Sequence, residues 1–339
     1  MGIVGALDLH RKQVTFDWVD TESGENRRGR LAPANRESFR HWLAQFDERP
    51  VELVVEGCSG WRFIAEEAQA AGAIIHVADP AEAATLGRGK KRRAKTDKVD
   101  ARALRELLEQ HRVPDSWIPP HQVLEVRTMV RLYDDLIRDR IAWQQRIHAT
   151  LFHLGAPQQS ALLRGDRDRL LTSEALSPAA SGAVATALRV IDTLDVEVDR
   201  LRQQLRSFAA RQPGCLALQA EYGIGKLTSV VVWCELGDTR RFTSSAQAVR
   251  HTGLDVTIYS SDGKRGRAHI THQGPPLLRW ALYEAGMCAS RPTSPDHAYF
   301  TQVANRLGKK RAAISVARKL TRRCHHRLRA LGDTAFAEI

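Results

Sequence analysis

The chain has 339 residues, about two domains' worth at roughly 150 residues each, and 43% of them are apolar, which excludes a disordered chain and a small disulfide-held scaffold. Lys and Arg outnumber Asp and Glu by 51 to 39, giving a net charge of +12 and an isoelectric point near 9.9. A surplus of that size repels itself unless a polyanion screens it, so nucleic acid is the first partner to expect.

Two β-rich runs, 3–9 and 14–19, are joined by the polar His10-Arg11-Lys12-Gln13 and predict a hairpin. A weaker third strand follows at 28–31, then a helix over 35–45. The run 51–55, apolar except for Glu52, has the length of a buried strand and ends in a turn at Gly57 and Gly60. A helix over 61–71, a strand over 73–78 and a helix over 97–110, with Thr96 as its N-cap, complete this part. A three-stranded meander followed by alternating helix and strand is the element order of a ribonuclease-H-like α/β fold, although several α/β folds begin this way.

From Val123 the apolar period becomes helical. Val126, Val130, Tyr133, Ile137, Ile141, Leu151 and Leu154 sit mostly three or four apart, and Leu188, Ile191, Leu194, Val198, Leu201 and Leu205 repeat with near-heptad spacing. Two long helices are expected, packed as an intramolecular hairpin or through a second copy. Residues 155–182, with Pro157, Pro178 and several Ser and Gly, are expected to form the loop between them.

A second globular unit is expected from Pro213. Tyr222-Gly223-Ile224-Gly225-Lys226 leads into the mainly apolar run 227–236, a turn feeding a helix. It is either structural or half of a helix-hairpin-helix whose free N–H groups hold a phosphate. Ser244-Ser245-Ala246-Gln247 predicts a capped helix start, and 257–269 is polar and basic. Residues 301–329 contain ten Lys or Arg and no acid, a pattern expected to lie along nucleic acid.

The five cysteines, Cys58, Cys215, Cys234, Cys288 and Cys324, are widely spaced with no C-x-x-C pair, which argues for reduced thiols over a zinc ribbon. No apolar run approaches the ~18 residues that span a bilayer, and no signal-peptide core precedes Asp8, so a cytoplasmic protein with no membrane partner is expected.

In so basic a chain, acids in apolar context are informative. Asp8 is flanked by Leu7 and Leu9, Glu56 ends the valine-rich strand, and Asp97 and Asp100 share the first turn of one helix. If the strands are parallel neighbours, Asp8 and Glu56 meet near the sheet centre and the helix adds two more carboxylates. Four carboxylates need a counter-ion, and paired Mg²⁺ ions are the natural one. Taken singly, Asp97 also serves as a helix-dipole partner and Asp100 as an ion-pair partner. Just upstream, Arg88, Lys90, Lys91, Arg92, Arg93 and Lys95 form a basic loop suited to a DNA backbone, with a solvated loop as the alternative.

These residues resemble a known family. Leu7-Asp8-Leu9-His10, Val55-Glu56 and Lys95-Thr96-Asp97-Lys98-Val99-Asp100-Ala101 are similar to the motifs of the DEDD transposases, the insertion-sequence recombinases related to the Piv DNA invertase. The similarity continues at Tyr222-Gly223-Ile224-Gly225, at Glu235-Leu236-Gly237-Asp238 with Arg241-Phe242, and at Gly253-Leu254 through Ser260-Ser261-Asp262-Gly263-Lys264. It ends with Ile270-Thr271-His272-Gln273-Gly274 and Leu278-Arg279.

The resemblance implies a ribonuclease-H-like (RuvC-like) catalytic domain over 1–120, a helical coiled-coil middle over 121–210, and a mainly helical C-terminal transposase domain over 211–339. It implies that Asp8, Glu56, Asp97 and Asp100 bind Mg²⁺ or Mn²⁺, and that Ser261 attacks a DNA phosphate to give a covalent serine–DNA intermediate. It further implies donor and target DNA as substrates, a structured non-coding bridge RNA as guide, and a homodimer assembling to a tetramer. Lys226, Lys264, Arg265, Arg267, Lys309, Lys310 and Arg311 join the basic loop as expected nucleic-acid contacts. This chain departs from the family at Asp262, where glycine is common, and aspartate also tolerates turn geometry. Ser260 is the competing nucleophile.

A serine hydroxyl must lose its proton to react, and the carboxylates and the serine lie in separate parts of the chain, so the complete site requires closure between domains or subunits. Two other readings remain open from sequence. One is a metal-dependent, Holliday-junction-resolvase-like nuclease using water as nucleophile, and the other a nucleic-acid-binding protein without catalysis. Loss of covalent adducts in Ser261→Ala separates the first from transposition, and indifference to Asp97→Ala with Asp100→Ala identifies the second.

Overall fold

The computed structural model describes residues 2–46, 49–86, 97–156, 167–171, 175–257, 260–261, 264–265 and 269–339. The chain divides into two compact units, Met1–Ile118 and Pro119–Ile339.

The first unit runs β1 (Ile3–Leu9), β2 (Val14–Asp20), β3 (Asn26–Leu31), α1 (Arg36–Ala44), β4 (Val51–Glu56), α2 (Trp61–Ala70), β5 (Ile74–Ala78), α3 (Pro80–Leu86) and α4 (Asp97–Glu109). The five strands form one sheet in the order β3-β2-β1-β4-β5. The β1-β2-β3 meander is antiparallel, and β4 and β5 extend it in parallel with β1. Each element expected from sequence in this part is present. Asn35 stands outside α1 as its N-cap, its side chain accepting from the Ser38 N–H. Helix α3 was not expected. It starts at Pro80, where no donor is needed, and Asp79 accepts from the Ala81 and Glu82 N–H groups. Thr96 lies outside the described residues.

Alternation along the strands gives the sheet two different faces. On one, Ile3, Leu7, Trp18, Leu53, Val55 and Val77 pack with Phe39, Trp42 and Leu43 of α1 and Ile64, Ala65 and Ala68 of α2. On the other, Ala6, Val54 and Ala78 pack with Leu104 and Leu108 of α4. That second core is smaller, and the strand positions beside it are polar.

The second unit is mainly helical. It runs α5 (His121–His153), α6 (Arg167–Leu171), α7 (Pro178–Ala209), α8 (Pro213–Gln219), α9 (Lys226–Leu236), α10 (Ser245–His251), four short strands β6 (Val256–Thr257), β7 (Ser260–Ser261), β8 (Lys264–Arg265) and β9 (His269–Ile270), then α11 (Pro276–Met287), α12 (His297–Leu307) and α13 (Lys309–Leu331). Helices α5 and α7 form an antiparallel hairpin. Ile147 and Leu151 pack with Val184, Leu188 and Ile191, Arg140 Nη1 lies 2.9 Å from Asp195 Oδ1, and Arg202 Nε donates to the Tyr133 hydroxyl at 3.4 Å.

The loop expected over 155–182 is shorter than that, because α7 already begins at Pro178 and α6 interrupts the connection. Proline is compatible with a first helical turn, and Ser177 caps it by accepting from the Ala180 N–H. All five cysteines are free, and burial pushes the Cys215 and Cys324 thiols up to about 12, which leaves them inert. Among the described residues no helix is long and apolar enough to cross a membrane.

Candidate active site

Leu7 is the Cα partner of Val55 in the parallel β1–β4 register, so Asp8 and Glu56 are the next residue on each strand. Alternation puts both on the face of Ala6 and Val54, which is the face α4 covers. The carboxyl ends of parallel strands are where open α/β sheets bind ligands. Asp8 is 9% exposed, with its Oδ2 3.3 Å from His10 Nε2. Asp97 is the first residue of α4, and Asp100 stands one turn before Leu104, on the row that continues to Leu108 against the sheet. The fold thus brings Asp8, Glu56 and Asp100 to one side of the sheet, while the Asp97 side chain lies outside the described residues. Among the described residues no group of three or more His, Cys, Asp or Glu side chains closes into metal-holding geometry.

Sequence reasoning missed what seats α4. Asp17 is opposite Ala6 in the β1–β2 register and so shares Asp8's face. Its Oδ1 accepts from Arg105 Nε of α4 at 2.6 Å and from Asn26 Nδ2 at 3.2 Å, and its Oδ2 lies 2.5 Å from Arg28 Nε. Asp17 is 1% exposed and Arg105 7%, and Arg105 also donates to Glu109 at 2.6 Å. This buried, multiply hydrogen-bonded pair locks the helix that carries Asp97 and Asp100. Its only sequence signal is an acid between Phe16 and Trp18, the same kind of signal that marks Asp8.

In the second unit, β6 pairs with β9 and β7 with β8, both antiparallel, as two separate two-stranded ladders, the second lying within the sequence span of the first; residues 256–270 are called the arm. Ser261 is the Cα partner of Lys264, so the connection is two residues, Asp262-Gly263, a composition suited to a tight hairpin. Those two residues, Arg267, and the side chains of Ser260, Ser261, Lys264 and Arg265 lie outside the described set, as do Arg88, Lys90, Lys91, Arg92, Arg93 and Lys95.

The base of the arm is braced from several sides. Thr271 N–H donates to the Asp255 carbonyl and its hydroxyl to Asp255 Oδ1 at 2.5 Å. Arg279 Nη1 reaches the carbonyls of Thr252, His272 and Gly274, and Arg318 Nε donates to the Leu254 carbonyl at 2.6 Å. Gly274, at φ 128, passes so close to His251 that a Cβ would lie 2.1 Å from its carbonyl oxygen.

The Tyr222-Gly223-Ile224-Gly225 turn is largely structural. Gly223 has φ 89, and a Cβ there would lie 2.6 Å from the Ala285 oxygen, whereas Gly225 faces open space and N-caps α9 beside the exposed Lys226. At the other end of α9, Arg127 Nε donates to the Cys234 carbonyl at 2.8 Å and Arg241 Nη2 to the Leu236 carbonyl at 3.1 Å. Both cations satisfy the helix's negative end. Arg241 Nη2 also lies 3.1 Å from His251 Nε2, and burial together with that cation pushes His251 down to about 4.

The cations of the basic C-terminal stretch divide between contacts inside the unit and its surface. Ala313, Val316, Ala317, Leu320, Cys324 and Leu328 of α13 are buried. Arg323 and Arg327 both pair with Glu221, and Arg323 also pairs with Asp296, all within the protein. Lys309, Lys310 and Arg311 are exposed at the start of α13.

Comparison with known proteins fits both units. A DEDD transposase family model of the IS110 type matches residues 6–154, and the model described as the transposase IS116/IS110/IS902 family matches 215–301. The chain is 30% identical over 281 residues to y4rJ of Sinorhizobium fredii, which is assigned as a transposase, covering 74% of this chain and 70% of that one. The chain belongs to the IS110-type DEDD transposases. It is also 24% identical over 238 residues to the transposase for insertion sequence element IS1111A of Coxiella burnetii (66% of this chain, 64% of that one). To the transposase for IS1328 of Yersinia enterocolitica it is 22% identical over 236 residues (69% and 70%). The first matched segment of the transposase contains Asp8, Glu56, Asp97 and Asp100, and the second contains the arm with Ser261.

Proposed function

We propose that this insertion-sequence transposase cuts and rejoins DNA through a covalent link to Ser261, with Asp8, Glu56, Asp97 and Asp100 holding divalent metal, Mg²⁺ or Mn²⁺. The observation that carries the reading is that Asp8, Glu56 and Asp100 share one side of the sheet, at the ends of two parallel strands and under the helix that Asp97 begins. The donor set fits such ions, which take carboxylate oxygens. Among the described residues neither Glu56 nor Asp100 has a cationic partner, although the chain is rich in cations. Held by these carboxylates, a divalent ion would offset their crowding and would supply stabilisation of charge developing on the attacked phosphate. The sheet order and strand directions support a ribonuclease-H-like, RuvC-like assignment for the first unit.

In this reading the Ser261 hydroxyl oxygen bonds to phosphorus while the bond from phosphorus to the 3′ oxygen breaks. The serine proton ends on the departing 3′ oxygen, and reversal of the step rejoins strands. Residues 1–120 act as the carboxylate domain, 121–210 as the helical middle, and 211–339 as the serine domain. Guidance by a structured bridge RNA, and a homodimer assembling to a tetramer, belong to the same reading. The exposed Leu132, Ile141 and Phe152 of α5 and Val196 of α7 support association through the helical middle.

The test is adduct formation. With Mg²⁺ and DNA carrying the element's end, the wild-type protein yields a denaturant-resistant protein–DNA adduct, Ser261→Ala yields none, and Ser260→Ala retains it. Cleavage without an adduct in both the wild type and Ser261→Ala replaces the serine with water and leaves a metal-dependent nuclease.

A further inference from the structure

Helix α13 distributes its cations unequally around its axis. Arg311, Ser315, Arg318, Arg322, His326 and Arg329 recur every three or four residues and occupy one side. Arg311, Arg322, His326 and Arg329 are exposed and Arg318 is half-buried. The braces to Glu221 and Asp296, Arg323 and Arg327, project from a different side of the same helix. Arg311 and Arg322 have no ion-pair partner among the described residues, and the sequence holds no acid between Asp296 and Asp333. Arg311 and Arg322 are therefore cationic charge that the described fold does not use, whereas Arg318 and Arg329 donate to backbone carbonyls.

The row is also anchored to the serine arm. Arg318 donates to the carbonyl of Leu254, which stands two residues before β6, and Arg329 donates through Nη1 to the Phe242 carbonyl at 3.0 Å. Arg311 to Arg329 spans about 27 Å at 1.5 Å per residue, the length of roughly eight base-pair steps of a duplex at 3.4 Å of axis each.

We infer that the outward row of α13 is a track for the phosphodiester backbone of DNA, leading it to the base of the arm that carries Ser261. The inference rests on the DNA-acting transposase reading and adds the surface and the residues. Arg311 and Arg322 bind phosphate directly, while Arg318 and Arg329 fix the track to the arm's base and to Phe242.

The experiment measures Kd of the full chain for a labelled duplex DNA, and separately for an RNA hairpin, across a salt series. Arg311→Ala with Arg322→Ala is expected to weaken binding about tenfold or more and to reduce the slope of log affinity against log salt by about 2, near 0.9 per lost phosphate contact. Arg311→Lys with Arg322→Lys keeps most of the slope. Arg206→Ala with Arg211→Ala, exposed cations outside α13, removes equal charge and leaves the slope unchanged. A loss on the duplex supports the track, and a loss confined to the RNA probe overturns it as a DNA track. Unchanged binding in the Arg311/Arg322 pair, with the wild type still salt-dependent, overturns the track and spares the DNA reading. An equal loss in the control pair shows that net charge alone sets affinity and also overturns it. Absence of salt-dependent binding by the wild type removes both.

Discussion

On one face of the five-stranded sheet Ile3, Leu7, Leu53 and Val55 are sealed beneath α1 and α2, while on the other Asp8, Thr15 and Asp17 are buried beside α4. The same strands supply both, residue by residue in alternation. The apolar face gains its stability from area removed from water, which is non-directional and tolerates many side chains. The α4 face is held by a directional, buried charge pair, and beside that pair the sheet carries Asp8 and Glu56. A polar face under one helix is a weaker core and a better place for chemistry.

The largest effect that tests this contrast is on catalysis. Asp8→Asn is expected to lower strand cleavage about 10³-fold or more, the scale of several kcal/mol in charge stabilisation, with little change in thermal unfolding. Leu53→Ala on the opposite face does the reverse, costing about 3 kcal/mol of stability while each folded molecule keeps its activity. Parallel losses of stability and cleavage in Asp8→Asn would make Asp8 a structural acid like Asp17.

Next in size is the lock on α4. Arg105→Ala leaves the buried Asp17 carboxylate without its main partner and is expected to cost about 3–5 kcal/mol in denaturant unfolding, with cleavage falling because Asp97 and Asp100 lose their seat. A cost under 1 kcal/mol would mean that Arg28 and Asn26 suffice to hold Asp17.

The smallest effect is pH-dependent and sits at the far edge of the same face. His76 Nδ1 lies 2.8 Å from Asp115 Oδ2 and its Nε2 3.1 Å from Glu52 Oε1, and the hydrogen bond to Asp115 first, with both negative charges, raises the His76 pKa above 6.5. Protonated His76 therefore adds stability that is complete below pH 6.5 and is lost as pH rises through the raised value. His76→Gln should flatten that part of the stability profile. An unaltered profile would show that the two carboxylates do not favour the charged imidazole.

Much of this was legible along the chain. The β-rich and apolar runs marked the strands, the helical spacing marked α5 and α7, and the spacing of Asp97 and Asp100 placed both at one helix start. Pro178 misled because a proline that breaks a helix interior is at home in a first turn.

Sequence by itself determined the order of most strands and helices, the surplus of positive charge and the motif order that the family comparisons share. Only tertiary structure decided that Asp17 is braced by a residue 88 positions away, that Glu56 follows in register beside Asp8, and that the arginines of α13 divide among acids, backbone carbonyls and open water. The reason is physical: periodicity is a local property of the backbone, whereas which charge meets which is settled by strand register and helix docking, where partners distant in sequence become neighbours.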